Sequence, residues 1–186
     1  SLINYTVKFD ANGGEGSMDL QPFSSGTAQN LNPNRFTRTG HTFAGWNTAA
    51  DGSGQSYTDE QSVKDLTSEQ NGTVTLYAQW TANSYTVTLN SNGGTIADGK
   101  NVTSYTYGTG AVLPDAGAMS KTGYAFAGWY DNELCSGTAV TEITGTDMGN
   151  KTYWAKWGLG IYQVAVAAEP PRSGTVSGSG GYNMNE

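Results

Sequence analysis

Cysteine is nearly absent from this sequence. Its 186 residues hold one, Cys135, so no disulfide can form within the chain and folding must rest on packing. Histidine is as rare: His41 is the sole one, which leaves imidazole chemistry a single candidate. Charge is thin at 13% of residues, and Lys and Glu, favoured on exposed helices, are scarce. No apolar run approaches the ~20 residues that a membrane-spanning helix needs, and no polybasic segment offers itself to an anionic bilayer. No basic stripe is present: nine Lys and Arg stand against sixteen Asp and Glu, so the phosphate attraction of a nucleic-acid binder is missing. The acidic excess is spread along the chain, as expected of a solvated surface. The opening residues, Ser-Leu-Ile-Asn, show no secretory pattern and run straight into a strand pattern. The chain therefore reads as a piece of a larger protein whose targeting segments lie elsewhere.

What is abundant points to β structure. Gly occurs 26 times, and Thr, Ser, Asn and Tyr are plentiful, a palette of strands and turns. A hydrophobic content of 36% is low for one large core and suits small modules with thin aromatic cores.

Three blocks repeat in order. YTVKFDANGG (Tyr5 to Gly14) recurs as YTVTLNSNGG (Tyr85 to Gly94), TRTGHTFAGW (Thr37 to Trp46) as SKTGYAFAGW (Ser120 to Trp129), and LYAQW (Leu76 to Trp80) as YWAKW (Tyr153 to Trp157). The offsets are 80, 83 and 77 residues, so the chain holds two copies of one unit.

In the first block Tyr5, Val7 and Phe9, like Tyr85, Val87 and Leu89, alternate with polar residues as in a half-buried strand. The Asn12-Gly13 and Asn92-Gly93 pairs that follow are strong signals for a type I′ hairpin turn. In the second block Gly45 and Gly128 precede the tryptophans, which suggests a bulge or a close backbone approach under a large ring. In the third, Leu76, Ala78 and Trp80 share a face and Tyr77 takes the other. Between the last two blocks, Thr58 to Gln70 predicts a short helix with Val63, Leu66 and Tyr57 inward. The matching Thr141 to Gly149 has room for about one helical turn.

YTVxFxxNGG, then TGYxFxGW, then LYAxW closely resembles the Listeria–Bacteroides repeat family, the internalin-type B repeats, over residues 4–157. The resemblance implies a mainly β (α+β) fold of tandem, small, ubiquitin-like β-grasp modules with at most one short helix each. It also implies a bacterial surface protein, secreted or attached to the cell wall. The expected organisation is one module at 4–81, a second at 82–158, and at 159–186 the start of a third, divergent repeat. In that tail Tyr162, Val164 and Val166 alternate, Pro170-Pro171 interrupts, and Thr175-Val176 suggests a further short strand. The GYxFxGW-like block expected next is absent, so the third unit reads as truncated. Ala49 to Ser56 and Asp98 to Met119 read as insertions relative to the compact family pattern.

Candidate reactive groups are few. His41 has Tyr124 at its place in the second copy, which favours packing over base catalysis. Cys135 lies in a turn-like stretch of a copy without histidine, which favours a structural role. Asp51-Gly52-Ser53-Gly54 lacks the spacing of a calcium loop, even with Asp59 and Glu60 nearby. Trp46, Trp80, Trp129 and Trp157 recur at fixed places and read as core. Trp154, Tyr57, Tyr105 and Tyr107 are less constrained and mark where a binding face would be sought. No catalytic, cofactor-binding or metal-binding residue is assigned, and no cofactor is called for.

The expected role is that of non-catalytic repeat modules, a spacer or stalk displaying other domains of a bacterial cell-surface protein. Their partners would be neighbouring repeats of the same chain, with no nucleic acid, no membrane insertion by this stretch, and a monomeric state. The alternative is an adhesive module that binds a host protein or glycan through its insertion loops.

Overall fold

The computed structural model describes residues 2–163 and 181–182, and the backbone alone at 162–163 and 181–182. The chain is mainly β and divides into two compact units, Ser1–Asn83 and Ser84–Glu186.

The strands of the first unit are β1 (Asn4–Asp10), β2 (Gln21–Ser24), β3 (Gln29–Asn30), β4 (His41–Asn47), β5 (Ser56–Tyr57), β6 (Ser62–Val63) and β7 (Thr73–Ala82). Five of them form one mixed sheet in the order β2-β1-β7-β4-β5, and β3 pairs with β6 beside it. β1 and β7 run parallel at the centre, Val7 beside Val74 and Phe9 beside Leu76, while the other pairs are antiparallel. A parallel pair needs a long crossover, and here everything from β2 to β6 serves as that connection.

The second unit repeats the plan with β8 (Ser84–Asn90), β9 (Thr95–Ile96), β10 (Ser104–Thr106), β11 (Ala111–Val112), β12 (Met119–Ser120), β13 (Tyr124–Tyr130), β14 (Glu142–Ile143) and β15 (Lys151–Leu159). Its main sheet runs β10-β8-β15-β13, again with a parallel central pair. Last come β16 (Tyr162–Gln163) and β17 (Gly181–Tyr182), paired antiparallel. Val164, Val166, Pro170-Pro171 and Thr175-Val176 lie outside the described residues.

Alternation places the core as the sequence implies. Tyr5, Val7, Phe9, Leu76 and Ala78 are buried, and Trp80 packs against them half-buried. In the second unit Val87, Tyr153 and Ala155 are buried, with Tyr85, Leu89 and Trp157 packed at the margin.

Phe43 and Trp46 are three residues apart, so strict alternation would send them to opposite faces. The ladder slips between Phe43 and Gly45, and Gly45 adopts φ +126°. This bulge turns both rings inward, with centroids 4.9 Å apart, and Phe43 also meets Trp80 at 5.7 Å. Phe126, Gly128 and Trp129 do the same, and Phe126 lies 5.5 Å from Trp129 and 5.6 Å from Trp157. The large ring over a glycine is found elsewhere. A Cβ at Gly14 would sit 2.7 Å from Trp80 Cζ2, and one at Gly94 would collide with the Trp157 ring.

Four expectations change. The Asn-Gly pairs do form turns: Asn12 and Gly13 both have positive φ, and Gly14 N–H donates to Ala11 O at 2.9 Å. They do not close a hairpin, however, because β1 pairs with β2 while Glu15 pairs with Thr37. The Thr58–Gln70 helix is also absent. Glu60 and Asp65 take left-handed φ values of +54° and +53°, which breaks any helical run, and Ser62–Val63 pairs with β3. Val63, Leu66 and Tyr57 still pack on the core, Tyr57 and Val63 from short strands and Leu66 from a loop. No helical turn forms at Thr141–Gly149 either; the helical element among the described residues is a 3-10 turn at Ala116–Ala118, capped by Asp115. Finally, Asp98–Met119 is not an added loop. It supplies β10 and β11, matching β2 and β3, and contributes Tyr105 and Leu113 to the core.

Candidate functional site

The structure scatters the reactive groups rather than gathering them. His41 lies on β4 opposite Ala82, and its Nδ1 is 2.8 Å from Thr39 O. Tyr124 holds the equivalent place opposite Leu159, so the position belongs to the sheet end in both units.

Cys135 is buried, with φ +49° in a turn closed by its own N–H to Asn132 O at 3.0 Å. Its Sγ lies 3.7 Å from Ala155 O, and Asn92 Nδ2 approaches it at 3.8 Å. No imidazole exists in this unit to activate the thiol.

Asp51 spends its carboxylate on its own loop, accepting from Ser53 Oγ at 2.6 Å and Ser53 N at 3.0 Å. The Ser53 hydroxyl, then its N–H, holds the Asp51 carboxyl below its ordinary pKa. Asp59 accepts from Asn34 N at 3.0 Å, and Glu60 is an exposed turn residue. Among the described residues no three His, Cys, Asp or Glu side chains are grouped as metal ligands.

The aromatic candidates sort by face. Tyr105 is a core residue whose hydroxyl donates to Gly149 O at 2.6 Å, and burial raises its pKa. Tyr57 packs on the first core, and Tyr107 is half-buried. Trp154 is half-buried next to inward-facing Tyr153 and Ala155, so its side chain lies on the other face of the sheet. There it stands opposite Tyr130, and Lys156 Nζ lies 5.1 Å over the Tyr130 ring while donating to Cys135 O at 3.1 Å. Tyr77, Asn47 and Gln79 occupy the matching places in the first unit, so the outer side of the sheet differs between the copies, with Tyr130 and Asn47 buried and Trp154 and Tyr77 half-buried.

Several side chains organise the loops in ways the sequence does not signal, where Asn12 and Asn92 read only as turn residues. Asn47 is buried and holds the loop at 49–56: Nδ2 donates to Gly52 O, Gly54 O and Ser56 Oγ, while Oδ1 accepts from Ala49 N and Gly54 N. Asn12 Nδ2 donates to Ala50 O and Ala78 O, both at 2.8 Å, and Asn92 Nδ2 to Ala155 O at 2.8 Å. Asp147 accepts from Thr144 N and Oγ1 and pairs with Lys151 at 3.0 Å. The Thr144 hydroxyl, then Lys151, lowers the Asp147 pKa, and Asp147 in turn raises that of Lys151.

The joint after each closing strand is also repeated. Asn83 N–H donates to Gly40 O at 2.9 Å, and Gly160 N–H to Gly123 O at 3.0 Å.

Comparison with known proteins agrees with this duplication. The family model described as the Listeria-Bacteroides repeat domain matches residues 5–79 and again 85–156. A putative Gly-rich membrane protein of Evansella cellulosilytica is 30% identical over 89% of this chain and 18% of its own length. A putative membrane protein of the same organism is 29% identical over 86% of this chain and 22% of its own. Internalin H of Listeria monocytogenes is 35% identical over 82% of this chain and 25% of its own. The chain thus spans a quarter or less of these relatives. No solved structure matches.

Proposed function

The chain belongs to the Listeria-Bacteroides repeat domain family, and from that premise we propose that its modules, 4–81 and 82–158, form a non-catalytic spacer on the bacterial cell surface. The observation that carries this reading is what the two copies share. Core, bulge, turn and the tie after the closing strand recur, while Trp154, Tyr130 and Lys156 are replaced by Tyr77, Asn47 and Gln79. Repetition of framework without repetition of a surface group fits a positional role.

The mixed strand order with a parallel central pair supports a β-grasp reading, with extended segments and turns in place of the helix. The pairing of Tyr162 with Tyr182 has the same separation as that of Tyr85 with Tyr105, which supports taking 159–186 as the start of a third repeat. Membrane-protein relatives support a surface location. The protein acts as a monomer whose partners are its neighbouring repeats.

Small-angle scattering on the full chain, with and without calcium, tests the spacer. A compact domain of this length has a radius of gyration of about 16 Å, against about 11 Å for one module. A value clearly above the compact one, unchanged by calcium, is expected; a compact or calcium-dependent profile would sink the reading. Adhesion to a host protein is the second reading, favoured by the copy-specific Trp154 surface. It predicts that Trp154→Ala weakens binding to host cells while leaving the scattering profile unchanged.

A further inference from the structure

Asn4, Thr6 and Ser24 of β1 and β2, Thr27 and Gln29 beyond them, and Asn71 before β7 line a cavity of about 540 Å³ in the first module. None of them is charged. Their hydrogen-bonding capacity is only partly used. Asn4 Oδ1 accepts from Ser24 Oγ at 2.7 Å, and Asn71 Oδ1 from Gln70 Nε2 at 3.2 Å. The side-chain nitrogens of Asn4 and Asn71, the Thr6 and Thr27 hydroxyls and the Gln29 amide have no partner among the described residues.

The matching strands of the second module are different. Ser84 Oγ and Thr106 Oγ1 lie 2.9 Å apart, and Thr86 Oγ1 donates to Asn150 Oδ1 at 3.1 Å. The Ser84–Thr106 contact has its counterpart in Asn4 and Ser24, but the Thr86 hydroxyl is satisfied by Asn150 whereas Thr6, at the matching place, is left open in the first module.

We propose that this groove binds a neutral glycan. Sugar hydroxyls both donate and accept, and amides and Thr hydroxyls meet both demands without a charge. A phosphate or sulfate ligand would call for Arg or Lys on the wall, and none is present. A peptide adding as a strand to β2 would need its outward N–H groups, but Pro22 sits within that edge strand and has none. Such a shallow, solvated groove binds weakly and gains from repetition along a multidomain chain. The inference stands apart from the spacer reading, which scattering tests on its own.

The test is amide-resolved NMR on the full chain, titrated separately with maltotriose, cellotriose, triacetylchitotriose and mannotriose. At least one is expected to shift amides in 4–6, 22–29 and 71–73 and to leave the second module unmoved. Thr27→Ala with Gln29→Ala, both at exposed positions, should weaken that binding at least about fivefold, the effect of losing one or two hydrogen bonds. Undisturbed signals elsewhere would show that the variant is folded. The proposal is overturned if no trisaccharide shifts these amides, if shifts centre elsewhere, or if the double variant binds equally well. Shifts produced only by an extended peptide would overturn it too.

Discussion

Trp46 and Trp129 hold the same buried place in the two modules, yet only Trp129 has a partner for its indole N–H. Trp129 Nε1 donates to Pro114 O at 2.8 Å, while Trp46 Nε1 is buried with no partner among the described residues. Trp→Phe removes a similar apolar volume at both sites, but at Trp129 it also leaves the Pro114 carbonyl without its donor. Trp129→Phe should therefore cost about 1 kcal/mol more than Trp46→Phe. Urea unfolding followed by module-specific amide signals measures both, and equal losses would contradict the assignment.

Gly45 makes a second prediction. Its φ of +126° disfavours any side chain, and a Cβ there would lie 2.8 Å from Tyr57 O, a backbone atom that cannot swing away. Gly45→Ala should cost about 2–3 kcal/mol. Gly26, at φ +81° with open space around it, is the control, and Gly26→Ala should cost about 1 kcal/mol. Thermal unfolding of the two variants checks the order; a mild Gly45→Ala would mean that the bulge is not fixed by this contact.

How much of this was legible follows from where the information sits. Tyr5, Val7 and Phe9 announce a strand because local alternation is set by which face is wet. Phe43-x-Gly45-Trp46 announces a bulge because two apolar anchors three apart need one. Thr58 to Gln70 misled, since Val63 and Leu66 at helical spacing also suit an extended segment bent by Glu60 and Asp65, whose left-handed φ values were not readable from residue type. Tyr105 misled because β10, three residues long, is specified by its pairing with β8 and not by its own pattern. Asn12 looked like a turn residue; what its side chain does depends on Ala50 and Ala78, far along the chain.

Asp147 supplies a prediction about acid. Its folded pKa is lowered, first by the Thr144 hydroxyl and then by Lys151, so its stabilising contribution is present above the ordinary carboxylate value and fades as pH falls through the lowered one. Both partners are partly exposed, at 26% for the Lys151 side chain and 33% for that of Asp147, so the pair contributes less than about 1 kcal/mol. Asp147→Asn should lower the urea midpoint of the second module slightly at neutral pH, and the deficit should shrink as pH falls below the ordinary carboxylate value and through the lowered folded one. A deficit that persists in acid would assign the effect to packing.

Asn12→Asp separates the turn from the side chain. Asp, like Asn, tolerates the left-handed conformation, so the backbone at φ +46° is retained. What changes is the group facing Ala50 O and Ala78 O, which now receive the two Nδ2 hydrogens at 2.8 Å. A carboxylate offers these carbonyls lone pairs instead of protons, and the loss should be about 2 kcal/mol at neutral pH. The protonated acid can still donate one hydrogen bond, so the folded state favours it and its pKa rises above the unfolded value of about 3.9. Stability is then regained as pH falls through the raised folded pKa, and the deficit against the wild type should shrink between pH 7 and about pH 4. Asn92→Asp should behave alike but more mildly, since Asn92 Nδ2 serves one carbonyl, Ala155 O, and a thiol sulfur. Urea midpoints of all three proteins at the two pH values decide it. An equal deficit at both would mean that Asn12 matters for its turn alone and not for tying the first block of the repeat to the last.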